Sequence, residues 1–188
     1  NKNMSDLIIA FQGRPGAYSN MACDAYFPGA KTLPCNSFED MLNATKKGLS
    51  DYSMVPVENS LAGRVADIHH LIPDSGLFII GEHFQRVNHQ LLGLQNSDLK
   101  DIKSVKSHAQ GLAQCRKFIS DYNLLPVQHI DTAGAAEEVS RTDDPTIAAI
   151  ASDMASKIYN LKVLKSNIED ATHNTTRFLI MGREPVMP

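Results

Sequence analysis

Two short polar stretches carry the side chains best suited to chemistry. Near the C-terminus, Asn174-Thr175-Thr176-Arg177-Phe178 sets a hydroxyl donor, a guanidinium and an aromatic ring side by side, just before the apolar run Phe178-Leu179-Ile180-Met181. Such a run reads as a buried strand. The polar residues then lie at one end of it, where side chains can converge on a ligand. Upstream, Val55-Pro56-Val57-Glu58-Asn59-Ser60 repeats the layout, an apolar strand beside a polar trio. Two such stretches in one short chain point to a small-molecule site.

The elements that must position them alternate almost throughout. Strands are expected at Leu7–Phe11, Lys31–Pro34, Tyr52–Val57, Ile102–Lys106, Pro126–Ile130, Ile147–Ala151, Lys162–Leu164 and Arg177–Met181. Helices are expected at Ser19–Tyr26, Ser37–Lys47, Gln110–Tyr122, Thr132–Arg141 and Asp153–Tyr159, with a short one near Val65–Leu71. Ser37 caps its helix, with Asp40 three residues later. This alternation means α/β with mostly parallel sheets. A long β-rich stretch, Leu77–Leu94, interrupted by polar residues around Glu82 and Gln85–Asn88, divides the chain into two alternating halves. The architecture expected is two α/β lobes with a cleft between them, resembling the periplasmic-binding-protein type II fold. Lobe 1 covers about 4–84 plus 165–188, and lobe 2 about 85–164, with the last strand completing the first sheet.

In open α/β sheets ligands bind beyond the carboxyl ends of strands, near helix N-termini. The strand exits here carry Gln12–Ser19, Glu58-Asn59-Ser60, Ser107-His108-x-Gln110, Asp131-Thr132 and Ser152-Asp153. Any one of these is more simply a helix cap. Together they suggest a polar site for a small anion, because free N–H groups at helix starts suit carboxylates.

Composition removes several other classes. At 188 residues and a net charge of −3, the chain has no basic cluster denser than Lys46-Lys47, so a nucleic-acid or membrane surface is not indicated. Cys23, Cys35 and Cys115 form no metal-finger spacing and read as reduced buried thiols of a cytoplasmic protein. Asn1–Asp6 is polar, so no secretory signal is expected, and Met4 is expected to be the natural start. No His-Glu-x-x-His, P-loop, G-x-G-x-x-G or Gly-x-Ser-x-Gly occurs, so the metal, nucleotide and hydrolase readings gain no support. No metal and no organic cofactor are expected.

Taken in order, the motifs resemble those of the prephenate dehydratases over nearly the whole chain. The matching segments are Gly13-x-x-Gly16-Ala17-Tyr18-Ser19, Val55–Gly63, Ser107-His108-Ala109-Gln110 with Gln114, Asp131–Ala136, Ala149–Ser152 and Asn174-x-Thr176-Arg177-Phe178. Ala109 stands where the family pattern has proline. The resemblance implies a lyase of phenylalanine biosynthesis, converting prephenate to phenylpyruvate with loss of water and carbon dioxide. It implies Thr176 at the leaving hydroxyl, Arg177 pairing with a substrate carboxylate, and Glu58 as proton source if its pKa is raised. Asn59, Ser60, Ser107, Gln114 and Thr132 are implied as substrate contacts, with Phe178 packed beneath; His108 reads as a solvated loop residue.

The resemblance also implies a homodimer. Arogenate dehydratase, a two-lobed small-anion binding or sensor domain, and a fragment of a bifunctional enzyme are the alternative readings. Many family members continue into a phenylalanine-binding ACT domain, and this chain stops where that domain would begin. It is therefore expected to turn over prephenate without inhibition by phenylalanine. Inhibition at phenylalanine concentrations that do not compete with substrate would contradict that.

Overall fold

Ala10, Val55, Val57 and Met181, from neighbouring strands, pack onto the helical residues Met41, Leu42 and Ala44, and this apolar cluster organises the first of two sheets. The computed structural model describes residues 2–187. It falls into two compact units. The first takes the chain through Arg14, Tyr18–Arg86 and the stretch from Asn174 onward; the second takes Pro15–Ala17 and Val87–His173.

The first unit contains β1 (Ile8–Gln12), α1 (Tyr18–Tyr26), β2 (Lys31–Cys35), α2 (Phe38–Lys46), β3 (Tyr52–Asn59), β4 (Gly63–Arg64), α3 (Ile68–Leu71) and β5 (Phe78–Arg86). The second contains β6 (Gln90–Gly93), β7 (Ser104–His108), α4 (Ala109–Gln114), α5 (Arg116–Asp121), β8 (Leu125–His129), α6 (Thr132–Ser140), β9 (Ile147–Ala151), α7 (Asp153–Ile158) and β10 (Lys162–Lys165). The final strand, β11 (Thr175–Gly182), belongs to the first unit. Its sheet runs β2-β1-β3-β11-β5, with β4 on β3, and the second sheet runs β10-β6-β9-β7-β8.

The alternation of elements holds, but the sheets are mixed rather than mostly parallel. In the first, β1 pairs parallel with β2 and β3, whereas β11 runs antiparallel to both β3 and β5. In the second, β7 pairs parallel with β8 and β9, whereas β6 is antiparallel to β9 and β10. The antiparallel strands are those that flank the passages between units. They are not joined by the strand–helix–strand crossovers that make parallel pairs.

Three local expectations also shift. Glu82 lies inside β5 rather than interrupting it. The strand expected at Ile102–Lys106 begins at Ser104, because Leu99–Asp101 forms a 3₁₀ turn that ends on Ile102. The helix expected at Gln110–Tyr122 is two helices. Cys115 (φ −122°, ψ 27°) breaks it, and Asp170 stitches the break, its N–H donating to Gln114 O (2.8 Å) and its Oδ1 accepting from Lys117 N (3.1 Å).

Within the second unit, the Pro15–Ala17 segment is held by hydrogen bonds from Tyr159 Oη to Pro15 O (2.6 Å) and from Ser152 Oγ to Gly16 O (2.5 Å). Gly16 has φ +95°, and a Cβ there would lie 3.0 Å from Ala155 Cα, so only glycine suits the turn. Among the described residues no helix is long and apolar enough to cross a membrane.

Gly111 meets a similar limit from packing alone. A methyl group on it would sit 2.6 Å from Ser107 Oγ, a hydroxyl with no solvent exposure that is bonded to Ile150 O at 2.8 Å. Overpacking of this kind costs about 1–3 kcal/mol, so Gly111→Ala should lower the unfolding midpoint. In the Ser107→Ala background the same change should cost much less. Urea melts of the four forms check this; G111A as stable as the parent chain would refute the clash.

Candidate active site

The site is built where β3 and β11 end side by side. Thr176 pairs with Asn59 and Arg177 with Glu58, after which a bulge brings Phe178 opposite Pro56. On the other flank Thr176 lies opposite Gln85 of β5. Residues directly opposite in a ladder share a face, so Asn59, Thr176 and Gln85 form one row across three strands.

The amide of Asn59 governs this row. Its Oδ1 accepts from the backbone N–H groups of Leu61 (3.0 Å) and Ala62 (2.9 Å) as the chain turns out of β3. That fixes the amide orientation, so Nδ2 must face the other way. Its two protons go to Asn174 Oδ1 and Thr176 Oγ1, both at 2.9 Å, with Thr175 O further off at 3.4 Å. Thr176 Oγ1 is therefore an acceptor toward Asn59, and its single proton points to a different partner. Ser60 closes the strand end: its N–H donates to Thr175 O (2.9 Å), and its Oγ accepts from Thr175 N (3.0 Å).

Arg177 and Glu58 are not brought to this face. Successive side chains in a strand point to opposite faces, and the Arg177 guanidinium reaches Glu82 on β5 through Nε (2.7 Å) and Nη2 (2.6 Å). Glu58, opposite Arg177 in register, is exposed. The expected trio of Thr176, Arg177 and Glu58 is thus split by the sheet, a separation that adjacency in sequence conceals. Phe178 is 1% exposed. It lies two residues along from Thr176 on the same face, its ring 6.5 Å from that of His83, and so packs beneath the row.

The second unit places the remaining expected residues at its own strand exits. Ser107 is buried and committed to Ile150 O, as described above. Thr132 is the first residue of α6, capped by Asp131, whose Oδ1 accepts from Gly134 N; the Thr132 hydroxyl has no hydrogen-bond partner among the described residues. His108 is a helix cap, its Nδ1 accepting from Gln110 N at 3.1 Å.

Half-buried Gln114 bonds through Oε1 to Nε2 of His89 (2.6 Å). His89 is 2% exposed. Burial pushes its imidazole below the usual range, against the opposing pull of the Gln114 bond and the Glu169 charge. All three cysteines are buried and unpaired, and burial raises the thiols, most strongly at Cys23 and Cys115. Among the described residues no group of three or more His, Cys, Asp or Glu is arranged to hold a metal ion.

The family model for prephenate dehydratase matches residues 9–186. The chain belongs to the prephenate dehydratase family. It is 51% identical over 178 residues to a bifunctional N-acyl-homoserine lactone acylase/prephenate dehydratase of Komagataeibacter europaeus, covering 95% of this chain and 63% of that protein. It is 41% identical to arogenate dehydratase/prephenate dehydratase 1 of Arabidopsis thaliana, covering 98% of this chain and 47% of the relative. The structure of an Arthrobacter aurescens prephenate dehydratase in complex with L-Phe superposes with a TM-score of 0.88 at 28% identity, over 97% of this chain and 62% of that one. The chain thus spans less than two thirds of each of these family members.

Sequence reasoning put Asn59 among substrate contacts and gave Asn174 no role. The structure makes them neighbours through one amide, with Asn174 only 1% exposed. Glu82, the partner of Arg177, reads from the sequence as a strand interruption; its position two residues from Phe84 on one face of β5 is the available signal. Replacing Asn59 with Asp keeps the acceptor for Leu61 and Ala62 but removes both donors, and the buried Asn174 carbonyl loses its bond. Loss of two buried hydrogen bonds, to Asn174 and Thr176, costs about 1–3 kcal/mol. N59D should be destabilised by that amount in urea unfolding, and unchanged stability would refute the bonding described.

Proposed function

We propose that this chain catalyses the decarboxylating dehydration of prephenate to phenylpyruvate, a carbon–oxygen lyase reaction. The observation that carries the reading is the Thr176 hydroxyl, which is held as an acceptor by Asn59 and so has its proton to offer outward. In the reaction the ring C–O bond breaks and the hydroxyl leaves as water after taking up one proton. The bond from the ring to its carboxylate breaks at the same time, releasing carbon dioxide, and its electron pair completes the aromatic ring. One proton is consumed, and no oxidant or reductant is needed.

A threonine hydroxyl is too weak an acid to be the net source of that proton. Thr176 donates a hydrogen bond to the departing oxygen as charge develops there and passes on a proton replaced from solvent. Asn59 and Asn174 set the direction of that donation, and Ser60 holds the strand end. Phe178 supports the row from below. Gln114 and Thr132 keep their reading as substrate contacts on the strength of the family's motifs, whereas Ser107 is committed to Ile150 O and serves packing. Arg177 and Glu58 lie on the reverse face. They enter the reading as supports of the strand end, and Arg177 could meet a carboxylate only by leaving Glu82.

Arogenate carries an amine in place of the side-chain ketone and undergoes the same ring chemistry. A relative whose name includes both activities makes it the substrate to run in parallel. Thr176→Ala should lower turnover of prephenate by about 10²–10⁴-fold with folding intact, and Thr176→Ser should retain most of it. Phenylpyruvate formation is the readout, with phenylalanine formation from arogenate alongside. Near-normal turnover in a folded T176A protein would remove Thr176 from the mechanism, and turnover of arogenate alone would change the substrate but keep the site.

A further inference from the structure

Between α4, α5 and the edge strand β8, the second unit carries a groove of about 490 Å³ that no step of the proposed reaction uses. Its volume lies within the range of small-molecule pockets, roughly 300–1,000 Å³. The floor is apolar. Leu112 and Ile119 line it from the two short helices, and Leu124 and Pro126 from the segment that follows. Leu112, Ile119 and Leu124 belong to the same cluster as buried Cys115 and Phe118, so the floor is the outer surface of a packed core. The turn beside it is held by Leu124 N donating to Ile119 O (3.0 Å) and Asn123 N to Ser120 O (3.1 Å). Asn123 has φ +51° there, a left-handed conformation that asparagine tolerates.

The rim differs from the floor. Arg116, Ser120, Asn123 and Gln128 line the groove, and none of these four side chains has a hydrogen-bond or ionic partner among the described residues. Arg116 carries the one charge among the lining residues, with no carboxylate there to neutralise it. The neighbouring Lys117, by contrast, is paired with Asp121 at 2.8 Å. Although β8 is an edge strand, Pro126 within it offers no N–H to an incoming strand, so strand addition is disfavoured at this place.

We infer that this groove binds a small amphipathic anion, an apolar body bearing one carboxylate, with the body on Leu112, Ile119 and Pro126 and the carboxylate on the Arg116 guanidinium. A guanidinium matches a carboxylate with two parallel N–H bonds, and the free hydroxyl and amide groups of Ser120, Asn123 and Gln128 add donors beside it. A neutral apolar ligand would leave the guanidinium unused. A wholly polar anion would gain nothing from covering the floor. The site is separate from the Thr176 row, and the inference goes beyond the dehydratase reading without resting on it.

The test uses 4-phenylbutyrate and its uncharged amide as probes. Titrating 4-phenylbutyrate into the ¹⁵N-labelled chain should give saturable ¹H–¹⁵N shifts centred on the amide signals of residues 109–128. The amide should bind about 10- to 100-fold more weakly, the effect of losing a hydrogen bond to a charged group. Arg116→Gln should weaken phenylbutyrate by the same factor and leave the amide unchanged. Ala113→Leu, which fills the groove with a good helix former, should weaken both probes; if it does not fold, the amide and R116Q decide. Absence of saturable shifts, shifts centred on the Thr176 row or elsewhere, or equal binding of acid and amide would each overturn the inference. So would an R116Q chain that binds phenylbutyrate as tightly as the parent. The readout is binding alone, so the result is the same whether or not the chain turns over prephenate.

Discussion

The Asn59 amide has two ends, and the structure assigns each a different duty. Its oxygen turns the chain out of β3 by accepting from Leu61 and Ala62; its nitrogen ties that turn to β11 through Asn174 and Thr176. Neither end could be reversed without leaving two N–H groups facing each other or two oxygens in opposition. The direction of the turn, the register of the two strands and the direction of the Thr176 proton are therefore one constraint rather than three. An amide is well suited to this, offering both donor and acceptor in a rigid plane.

The second unit solves a related problem with different parts. There the Gln114 amide meets the His89 imidazole, and residues 168–170 rather than a sheet register fix the backbones of both. Charge contributes less than direction: the Arg177 guanidinium is occupied by Glu82, in a pair whose side chains are 43% and 44% exposed, where ion pairs stabilise by only about 0–1 kcal/mol.

Much of this was legible in the residues. The 3.6 and 2.0 periodicities located nearly every element, Ser37 capped α2 as expected by accepting from Asp40 N (3.0 Å), and β11 joined the first sheet. What failed to show was anything that depends on a partner far along the chain. Strand direction was missed because β6 and β11 are set by where the chain passes between units, which no local pattern records. The break at Cys115 was missed because Asp170, 55 positions on, supplies the bonds that stabilise it. At the site, adjacency suggested that Thr176 and Arg177 act together. A strand turns adjacency into opposition, and only the partners, Asn59 in the ladder for one and Glu82 in an ion pair for the other, reveal which face each serves.

The position of β11 between β3 and β5 has a consequence for how the molecule comes into being. Strands β3 and β5 are made early, but no hydrogen-bonded contact joins them directly; the seam down the first sheet stays open until the last described strand has been synthesised. The second unit, apart from the turn at Pro15–Ala17, is contiguous from Val87 to His173 and needs no later residues. Closing a sheet through its middle with the final segment is the slow, non-local kind of assembly. A chain that stalls or is cut short before β11 therefore lacks Thr176 and the strand that unites its sheet at the same time, so that neither exists without the other.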